Sequence, residues 1–427
     1  MADTGDATRL ILGGIADDLT GAIELAAMMA GAGIAARVLT ARGGTGDIGA
    51  AAVAVVGLKI RVAPRRAAVA AALAGLAVLA PRRPRMVFQK YCATFDSTPR
   101  GNIGPVADAL AERLGAGFTA FCPAFPEVAR TVYQGHLFVG EDLVSRSPKR
   151  HDPLTPMREP DLVRVLAAQT PRQVGLIRHA DLAGGAAAVA ARIAALKARG
   201  VAYAIADGTD EADLMALAAA SVDWPFMTGG SSVAAHYPPL WRARGWLDGL
   251  PARTPLAAVD GPGVVIAGSC AERTREQLTV FGRDRPVLFL SVDDLLEAPA
   301  AVARAVEWAR PRLADGPVAV ASSATPDAVA AAQARFGAKP AAAAVEAGLG
   351  AVAAALAGRG VRRFVVAGGE TSGAVLDALG VRALDVGAYE APGLSRSVAT
   401  GPAPLAFHLK SGKLGPPDMF RTALADA

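Results

Sequence analysis

Two adjacent carboxylates stand at the end of an apolar segment near the start of the chain. The run LILGGIADDLTGA (residues 10–22) is apolar up to Asp17 and Asp18 and then continues into helix-forming residues. Because neighbouring like charges destabilise each other, we expect the pair to have a structural or functional role. A carboxylate at a strand end can act as a general base or hold a metal ion. Alternatively, Asp18 or Thr20 only caps the helix. The sequence leaves both readings open.

A second polar cluster lies in the stretch KYCATFDSTPRGNIGP (90–105). Within one loop before a predicted helix it gathers Lys90, Asp96, Ser97, Thr98, Arg100, Gly101, Asn102 and Gly104. Backbone amides at a helix start bind anions, and hydroxyl and amide side chains suit a polyol. A long capped turn is the simpler alternative, since Asp-Ser-Thr-Pro is common in turns. The number of polar groups favours a polar ligand.

Two glycine-containing turns in the second half of the chain could bind phosphate. GSCAERT (268–274) and VVAGGETSGAV (365–375) each follow an apolar strand and run into a helix. Glycines let a phosphate approach the backbone, and a helix start supplies oriented N–H groups. Ser269, and Thr371 or Ser372, could instead serve only as helix caps. The second turn is the stronger nucleotide candidate.

Several common site types are excluded by the sequence. There is no G-x-x-x-x-G-K-[ST] motif, and the string at Gly31–Ala36 that fits a dinucleotide fingerprint follows a helix instead of a strand. The five histidines are scattered, and the three cysteines form no CxxC pair and no metal cluster. No metal ligands can therefore be named from the sequence.

The elements that would position these turns alternate between strands and helices. Such alternation predicts βαβ units, and we expect an α/β fold of two doubly wound domains with mostly parallel sheets. A Pro- and Gly-rich stretch at 251–263 predicts a linker, which gives domains at 1–250 and 251–427. A hairpin is expected within 133–144. Helices are expected at 65–80 and 103–114, and strands at 10–16, 34–41, 52–58, 86–92, 118–124, 174–179, 201–207, 224–230, 263–269, 287–292, 317–324, 363–369 and 404–412.

Composition sets the broad class. The chain has 427 residues, of which 52% are hydrophobic and 19% charged, with a formal net charge of +5. This predicts a globular protein without nucleic-acid partners, since the arginines are dispersed and aromatic residues are few. The apolar stretch at 67–80 is too short to span a bilayer, so no membrane association is expected. The N-terminus lacks a basic region before its apolar run, so we expect a cytoplasmic protein with reduced thiols.

These turns together resemble one known family. ADDLTGA, KYCATFDSTPRGNIGPV, FCPAFPEVARTVYQGHLFVG, HDPLTPM, GSCAERTREQ, GGETSGAV, EAPG and LKSGKLG are similar, in order and over nearly the whole chain, to the four-carbon acid sugar kinases. Within that family, the Cys-x-Thr-Phe-Asp-Ser-Thr string and the Pro-Leu-Thr-Pro-Met segment most resemble the 3-oxo-tetronate kinase branch. The resemblance implies transfer of phosphate from ATP to the terminal (C4) hydroxyl of a four-carbon sugar acid, with Mg²⁺ as cofactor.

The resemblance also assigns roles to residues. It implies a sugar-acid domain, a nucleotide domain and an active-site cleft between them that closes to exclude water. Asp17 is the expected catalytic base, although which of Asp17 and Asp18 takes the proton stays open. The expected substrate-binding residues are Asp18, Lys59, Arg61, Lys90, Asp96, Ser97, Thr98, Asn102 and Gly104. The expected ATP-binding residues are Ser269, Gly368, Gly369, Glu370, Thr371 and Gly412.

The sequence departs from the family pattern at two places. Ala271 stands where a second serine is common, and LKIRVAP (58–64) is looser than the expected Lys-Ser-Arg-Thr, which weakens the assignment of Lys59 and Arg61. A D-threonate or erythronate kinase remains an alternative. So do a non-catalytic sugar-acid-binding protein and, less well supported, a nicotinamide-dependent oxidoreductase. The resemblance leaves room for a homo-oligomer.

Overall fold

The chain folds into two compact α/β units, which confirms the predicted fold class. A computed structural model describes residues 9–152 and 154–425. The first unit ends at Arg37, resumes at Gly44 and ends again at Arg253. The second unit comprises Val38–Gly43 and the chain from Thr254 onward. Each unit is built around a mostly parallel sheet.

The first unit contains a main sheet and a small antiparallel sheet. The main sheet has the order β3-β1-β4-β11-β5-β10-β9, and the neighbouring strands in this order pair in parallel. Strand β2, which precedes β3 in the strand order, is divided between the two units after Arg37. The small sheet, β6-β7-β8, contains the predicted hairpin and one further strand. The strands are β1 Leu12–Ala16, β2 Ala36–Leu39, β3 Val53–Gly57, β4 Met86–Lys90, β5 Thr119–Cys122, β6 Arg130–Tyr133, β7 His136–Val139, β8 Asp142–Leu143, β9 Val174–Ile177, β10 Tyr203–Ala206 and β11 Phe226–Gly229.

Apolar runs explain the central strands of this sheet. β1, β3 and β4 are buried at every position, as expected for parallel strands covered on both faces. The helices connecting the strands of this unit are rich in alanine, which has the highest helix propensity. They are α1 Leu19–Gly31, α2 Arg65–Leu79, α3 Ile103–Leu114, α4 Leu162–Ala167, α5 His179–Ala183, α6 Gly185–Ala198, α7 Glu211–Ser221, α8 Ser231–Ala234 and α9 Tyr237–Ala243.

The second unit has a seven-stranded sheet with the order β13-β14-β12-β15-β18-β17-β16. The pairs from β13 to β18 are parallel, whereas β17 pairs antiparallel with both β18 and β16. The sequence reading did not include β16 and β17. The strands are β12 Gly263–Ala267, β13 Val287–Phe289, β14 Val318–Ala321, β15 Arg363–Ala367, β16 Ala383–Val386, β17 Arg396–Ala399 and β18 Leu405–Lys410.

Among the described residues, one helix is long and apolar enough to cross a membrane, judged by length and composition alone. This helix, α14, lies in the second unit, where it buries Leu349, Val352 and Leu356 and packs against α11, α12 and α15. The helices of this unit are α10 Glu272–Phe281, α11 Val292–Leu296, α12 Ala298–Arg312, α13 Pro326–Phe336, α14 Ala338–Ala357, α15 Gly369–Ala378 and α16 Met419–Ala425.

The stability of the second unit can be tested at two phenylalanines. Phe407 on β18 is fully buried and stacks on Phe364 with ring centroids 5.6 Å apart, whereas Phe289 on the edge strand β13 is 57% exposed. Phe407→Ala removes buried surface and leaves a cavity, so we expect a loss of about 3–5 kcal/mol of unfolding free energy. Phe289→Ala, the matched control, should change it by less than about 0.5 kcal/mol. Urea denaturation followed by circular dichroism measures both, and equal effects would contradict the assigned core.

Candidate active site

Each unit has a central strand from which the chain continues to either side, and predicted site residues follow that strand and its neighbours. In the first unit β1 lies between β3 and β4; in the second, β12 lies between β14 and β15. In open α/β sheets, ligands bind beyond the carboxyl ends of the strands at such switch points. Asp17 directly follows β1, and Gly268 directly follows β12. Topology therefore gives each unit one candidate binding position.

Arg61 joins the two carboxylates at the end of β1. Its Nε and Nη2 atoms donate to Asp17 Oδ2 and Oδ1, each at 2.8 Å, in a bidentate arrangement. Nη2 also lies 3.0 Å from Asp18 Oδ1. A guanidinium in this geometry forms charge-assisted bonds that are stronger than neutral ones. The cation thus offsets the repulsion between the neighbouring acids.

Asp18 also caps helix α1. Its Oδ1 accepts a hydrogen bond from the Gly21 amide at 2.8 Å, and its Oδ2 accepts one from the Thr20 hydroxyl at 2.7 Å. The capping role left open by the sequence is therefore present. Asp17 does not cap the helix: in the described part of the chain, both of its side-chain oxygens accept hydrogen bonds from Arg61.

The surroundings of Asp17 and Asp18 shift the pKa values of the two carboxyl groups in opposite directions. Burial raises the pKa of Asp17, and the charge and hydrogen bonds of Arg61 only partly oppose this effect. Burial also acts on Asp18, but Arg61, Lys90 and the hydrogen bonds from Thr20 and Gly21 outweigh it and lower the pKa. Adjacent acids with pKa values moved in opposite directions are typical of a catalytic pair. Asp17 is the better proton acceptor of the two.

Lys90 supplies a second buried cation at the end of β4. Its Nζ donates to the Tyr91 carbonyl at 3.1 Å and lies 3.6 Å from Glu24 Oε1. Glu24 on α1 also accepts a hydrogen bond from the Ser231 hydroxyl, and burial raises the pKa of this glutamate. Glu24 is not predicted as a site residue from the sequence, although Glu24 lies on α1 one turn after Thr20 and Gly21.

Lys149 fixes Asp96 in the 90–104 loop. Lys149 Nζ lies 2.5 Å from Asp96 Oδ1 and donates to Asp152 Oδ2 at 3.0 Å. Thr94 donates to Asp96 at 2.7 Å, and its oxygen lies 3.0 Å from Cys92 Sγ. Although burial opposes it, the Lys149 and Arg61 charges lower the pKa of Asp96. The loop thus presents a fixed, ionised carboxylate whose backbone φ of +38° lies in the left-handed region.

Gln169 organises the rest of that loop. Its Oε1 accepts from the Gly104 amide at 2.9 Å, and its Nε2 donates to Ser97 Oγ at 2.9 Å and to the Thr98 carbonyl at 2.7 Å. The helix-start amide of Gly104 is therefore bonded within the fold and is not an open anion donor here. Gln169 was not singled out from the sequence, because nothing in its neighbourhood marks it.

Asn102 is buried and hydrogen-bonded to the backbone, whereas Lys59 is exposed. Asn102 Nδ2 donates to the carbonyls of Ile60 at 2.7 Å and Ala63 at 3.0 Å, so its amide ties the Arg61 segment to the 90–104 loop. Lys59 is exposed beside this segment. Asn102 thus positions Arg61 through the backbone, and its proposed direct contact with substrate stays a prediction.

The predicted nucleotide residues of the second unit meet around three adjacent strand ends. A Cβ added to Gly412 would lie 1.9 Å from Ser269 Oγ, and one added to Gly268 would lie 2.3 Å from Thr371 Oγ1. Only glycine fits such close approaches. Ser269, Thr371 and Gly412 therefore lie close together after β12, β15 and β18. We call the cluster of Ser269, Gly368–Thr371 and Gly412 the nucleotide turn.

Helix α15 begins at this turn without a side-chain cap. Gly368, its N-cap, has φ of +122°, and the Ser372 hydroxyl donates back to the Gly368 carbonyl at 2.8 Å. The alternative that Thr371 or Ser372 caps the helix is therefore wrong. Gly369, Glu370 and Thr371 form the first turn, whose amides have no partners within a helix of this kind. An uncapped helix start with a glycine turn suits phosphate.

Two family models match the chain. One, described as a sugar-binding N-terminal domain, matches residues 12–237, and the other, a nucleotide-binding C-terminal domain, matches residues 264–420. A curated 3-oxo-tetronate kinase from Cupriavidus necator is 47% identical over 98% of this chain and 97% of its own length. A second, from Burkholderia multivorans, is 44% identical over 99% and 98%. The chain belongs to the four-carbon acid sugar kinase family.

Solved structures of this family share the fold. A protein from Salmonella typhimurium LT2 matches with a TM-score of 0.85 and 36% identity, covering 97% of this chain and 99% of that one. A Haemophilus influenzae protein matches with a TM-score of 0.76 and 35% identity over the same shares. The four-carbon acid sugar kinase described here is accordingly a phosphotransferase with a nucleotide-binding domain, which supports use of ATP.

The contribution of Gln169 to this kinase can be tested by Gln169→Leu. The substitution leaves the buried Gly104 amide and Thr98 carbonyl without their partner, so we expect a loss of about 1–3 kcal/mol of unfolding free energy. Because the 90–104 loop loosens, the KM for the sugar acid should rise while the KM for ATP stays unchanged. The exposed Gln173→Leu is the control and should alter neither quantity. Wild-type stability in Gln169→Leu would show that the loop does not depend on this residue.

Proposed function

We propose that the protein transfers the γ-phosphate of ATP to the C4 hydroxyl of 3-oxo-tetronate and releases 3-oxo-tetronate 4-phosphate and ADP. The observation that carries this proposal is the buried Asp17 at the first unit's switch point, held by both donors of the Arg61 fork. The full-length likeness to curated 3-oxo-tetronate kinases supports the substrate.

Asp17 acts as the general base in the proposed mechanism. Its carboxylate takes the proton from the C4 hydroxyl while the hydroxyl oxygen forms a bond to the γ-phosphorus. The bond between that phosphorus and the β–γ bridging oxygen breaks, and ADP leaves. Phosphoryl transfer asks for positioning and charge neutralisation more than for covalent chemistry. Arg61 keeps Asp17 oriented, and Asp18 holds hydroxyls as well as the start of α1.

The substrate carboxylate needs cations near Asp17. Arg61 and Lys59 are the candidates that reach the surface, since Lys59 is exposed and Arg61 is partly so, whereas Lys90 is 4% exposed. Asp96, Ser97 and Thr98 would contact the hydroxyl and oxo groups. The string that contains Cys92, Thr94 and Asp96 supports the 3-oxo substrate, because it resembles the corresponding string of the 3-oxo-tetronate kinase branch.

The nucleotide turn is proposed to hold the ATP phosphates. Ser269, Gly368, Gly369, Glu370, Thr371 and Gly412 surround the uncapped start of α15. Mg²⁺, the second proposed cofactor, would enter with the nucleotide and would supply positive charge to the phosphates. The described residues contain no group of three or more His, Cys, Asp or Glu that could hold a metal. Mg²⁺ binds through one or two carboxylates together with phosphates and water, so a nucleotide-borne ion fits this chain.

We also propose a cytoplasmic enzyme that acts without nucleic-acid or membrane partners and can form a homo-oligomer. D-threonate and erythronate are the alternative substrates, and a non-catalytic sugar-acid-binding protein is the alternative of a different class.

Substrate-dependent ADP release tests the function. We expect ADP from ATP and Mg²⁺ only when a four-carbon acid is present, with the highest kcat/KM for 3-oxo-tetronate in a panel that includes D-threonate and erythronate. A higher value for one of the other acids would reassign the substrate. Binding of the acids without ADP release would support the binding-protein alternative.

Asp17→Asn tests the base. Loss of proton abstraction should lower kcat by about 10²–10⁴-fold, the range for a general base, and leave ATP affinity unchanged. The control Asp223→Asn alters a carboxylate whose side chain is 67% exposed and should leave kcat as in wild type. Near-normal turnover of Asp17→Asn would exclude Asp17 as the base.

The pH profile gives an independent test of Asp17. A base must be deprotonated to act, so kcat/KM should fall as the pH drops through the pKa of Asp17. Because burial raises that pKa above its ordinary value of 3.8, the acid limb should lie above this value. An acid limb at or below 3.8 in wild type would contradict the assignment.

A further inference from the structure

A buried lysine without a carboxylate lies behind the nucleotide turn. Lys410, the last residue of β18, is fully buried. Its Nζ donates to Thr274 Oγ1 at 3.3 Å and to the Gly412 carbonyl at 3.4 Å, both neutral acceptors. In the described part of the chain, no ion pair joins Lys410 to an acid. A buried ammonium ordinarily has a charged partner, because burial without one is costly.

In the described residues, the groups that reach the Lys410 ammonium from neighbouring elements are neutral or positively charged. α10 presents Thr274 and Arg273, and Arg273 pairs with Glu276 at 2.7 Å. α16 presents the Phe420 ring, whose centroid lies 5.8 Å from Nζ, and β15 presents Ala367 as its partner in register. Burial, with a smaller effect from Arg273, lowers the pKa of Lys410 to about 7. The fold therefore holds a lysine that has no acidic partner and whose charged form is disfavoured by burial.

Lys410 also connects the parts of the nucleotide turn. Its backbone carbonyl accepts from the Gly368 amide at 2.9 Å, while its side chain reaches the Gly412 carbonyl. The Thr274 hydroxyl donates to the same Gly412 carbonyl at 2.8 Å. One residue thus contacts both glycines that border the proposed phosphate site.

We propose that Lys410 is the positioning residue of the nucleotide turn, its ammonium supplying the positive charge that the bound phosphates complete. This inference rests on the proposed nucleotide site and goes beyond it. The anionic phosphates favour the protonated lysine, and the protonated lysine holds Gly412 and Thr274 in place for the phosphates. Nucleotide and proton therefore bind together.

Calorimetric titration of the full chain with MgATP, without sugar acid, tests the coupling. At about pH 8 the free enzyme carries Lys410 largely uncharged, so wild type should take up close to one proton per nucleotide, measured from the dependence of the binding heat on buffer ionisation. Lys410→Met keeps the buried stem but removes the charge. It should abolish the uptake and raise the Kd for MgATP by about tenfold or more, because an opposite charge typically shifts a pKa by about one unit or more and one unit corresponds to a tenfold change in binding.

Two further variants separate positioning from a structural role. Lys410→Arg, permanently charged, should bind MgATP with nearly wild-type affinity and no proton uptake. Lys339→Met, an exposed lysine of the same unit, should match wild type in both quantities. Wild-type proton uptake in Lys410→Arg or Lys410→Met would overturn the proposal, and the arginine variant decides the matter even if the methionine variant does not fold.

The outcomes also distinguish this proposal from the proposed function. A wild-type enzyme that takes up the proton but phosphorylates no four-carbon acid contradicts the function and supports the role of Lys410. A wild-type enzyme that phosphorylates the acid and binds MgATP without proton uptake contradicts the role of Lys410 alone.

Discussion

The contact between Arg61 and the two neighbouring carboxylates is the interaction on which the first unit's site depends. Without the guanidinium, Asp17 and Asp18 would be like charges side by side at a buried strand end, which a fold avoids. With it, one acid receives a bidentate partner and the other shares that cation while capping α1. Removing one member of such a set leaves a buried charge uncompensated. Asn102, which holds the backbone at Ile60, is therefore part of the same arrangement.

The two units differ in whether the buried cations of their candidate sites are paired with acids. In the first unit every buried cation of the site has acids beside it: Arg61 has Asp17, Lys90 has Glu24, and Lys149 has Asp96. Such paired charges are fixed in place and suit a small polar ligand recognised by hydrogen bonds. In the second unit, Lys410 has only neutral acceptors. An unpaired buried cation suits a strongly anionic ligand, because the ligand itself supplies the missing charge.

Much of this architecture could be predicted from the sequence. Short apolar runs that end in a turn, such as the one ending at Ala16, predict strands buried on both faces, and β1 is buried at every position. Turns rich in Gly and Ser also indicate which strand ends are candidate ligand-binding positions. The antiparallel strands β16 and β17 escaped prediction, because short segments with mixed burial, such as Ala383–Val386, carry no clear period.

The site residues that could not be predicted from the sequence contact residues that are distant along the chain. Gln169 bonds Gly104, 65 positions away, and Lys149 bonds Asp96, which lies in a different loop. Neither stands in a motif, and an isolated Gln or Lys is ordinary on any surface. Lys410 differs, because it closes an apolar strand at which all but the first residue are buried and stands two residues before a turn glycine. A lysine that continues a buried strand into a glycine turn is costly unless an anion binds there, and that cost is a signal that sequence reasoning could use.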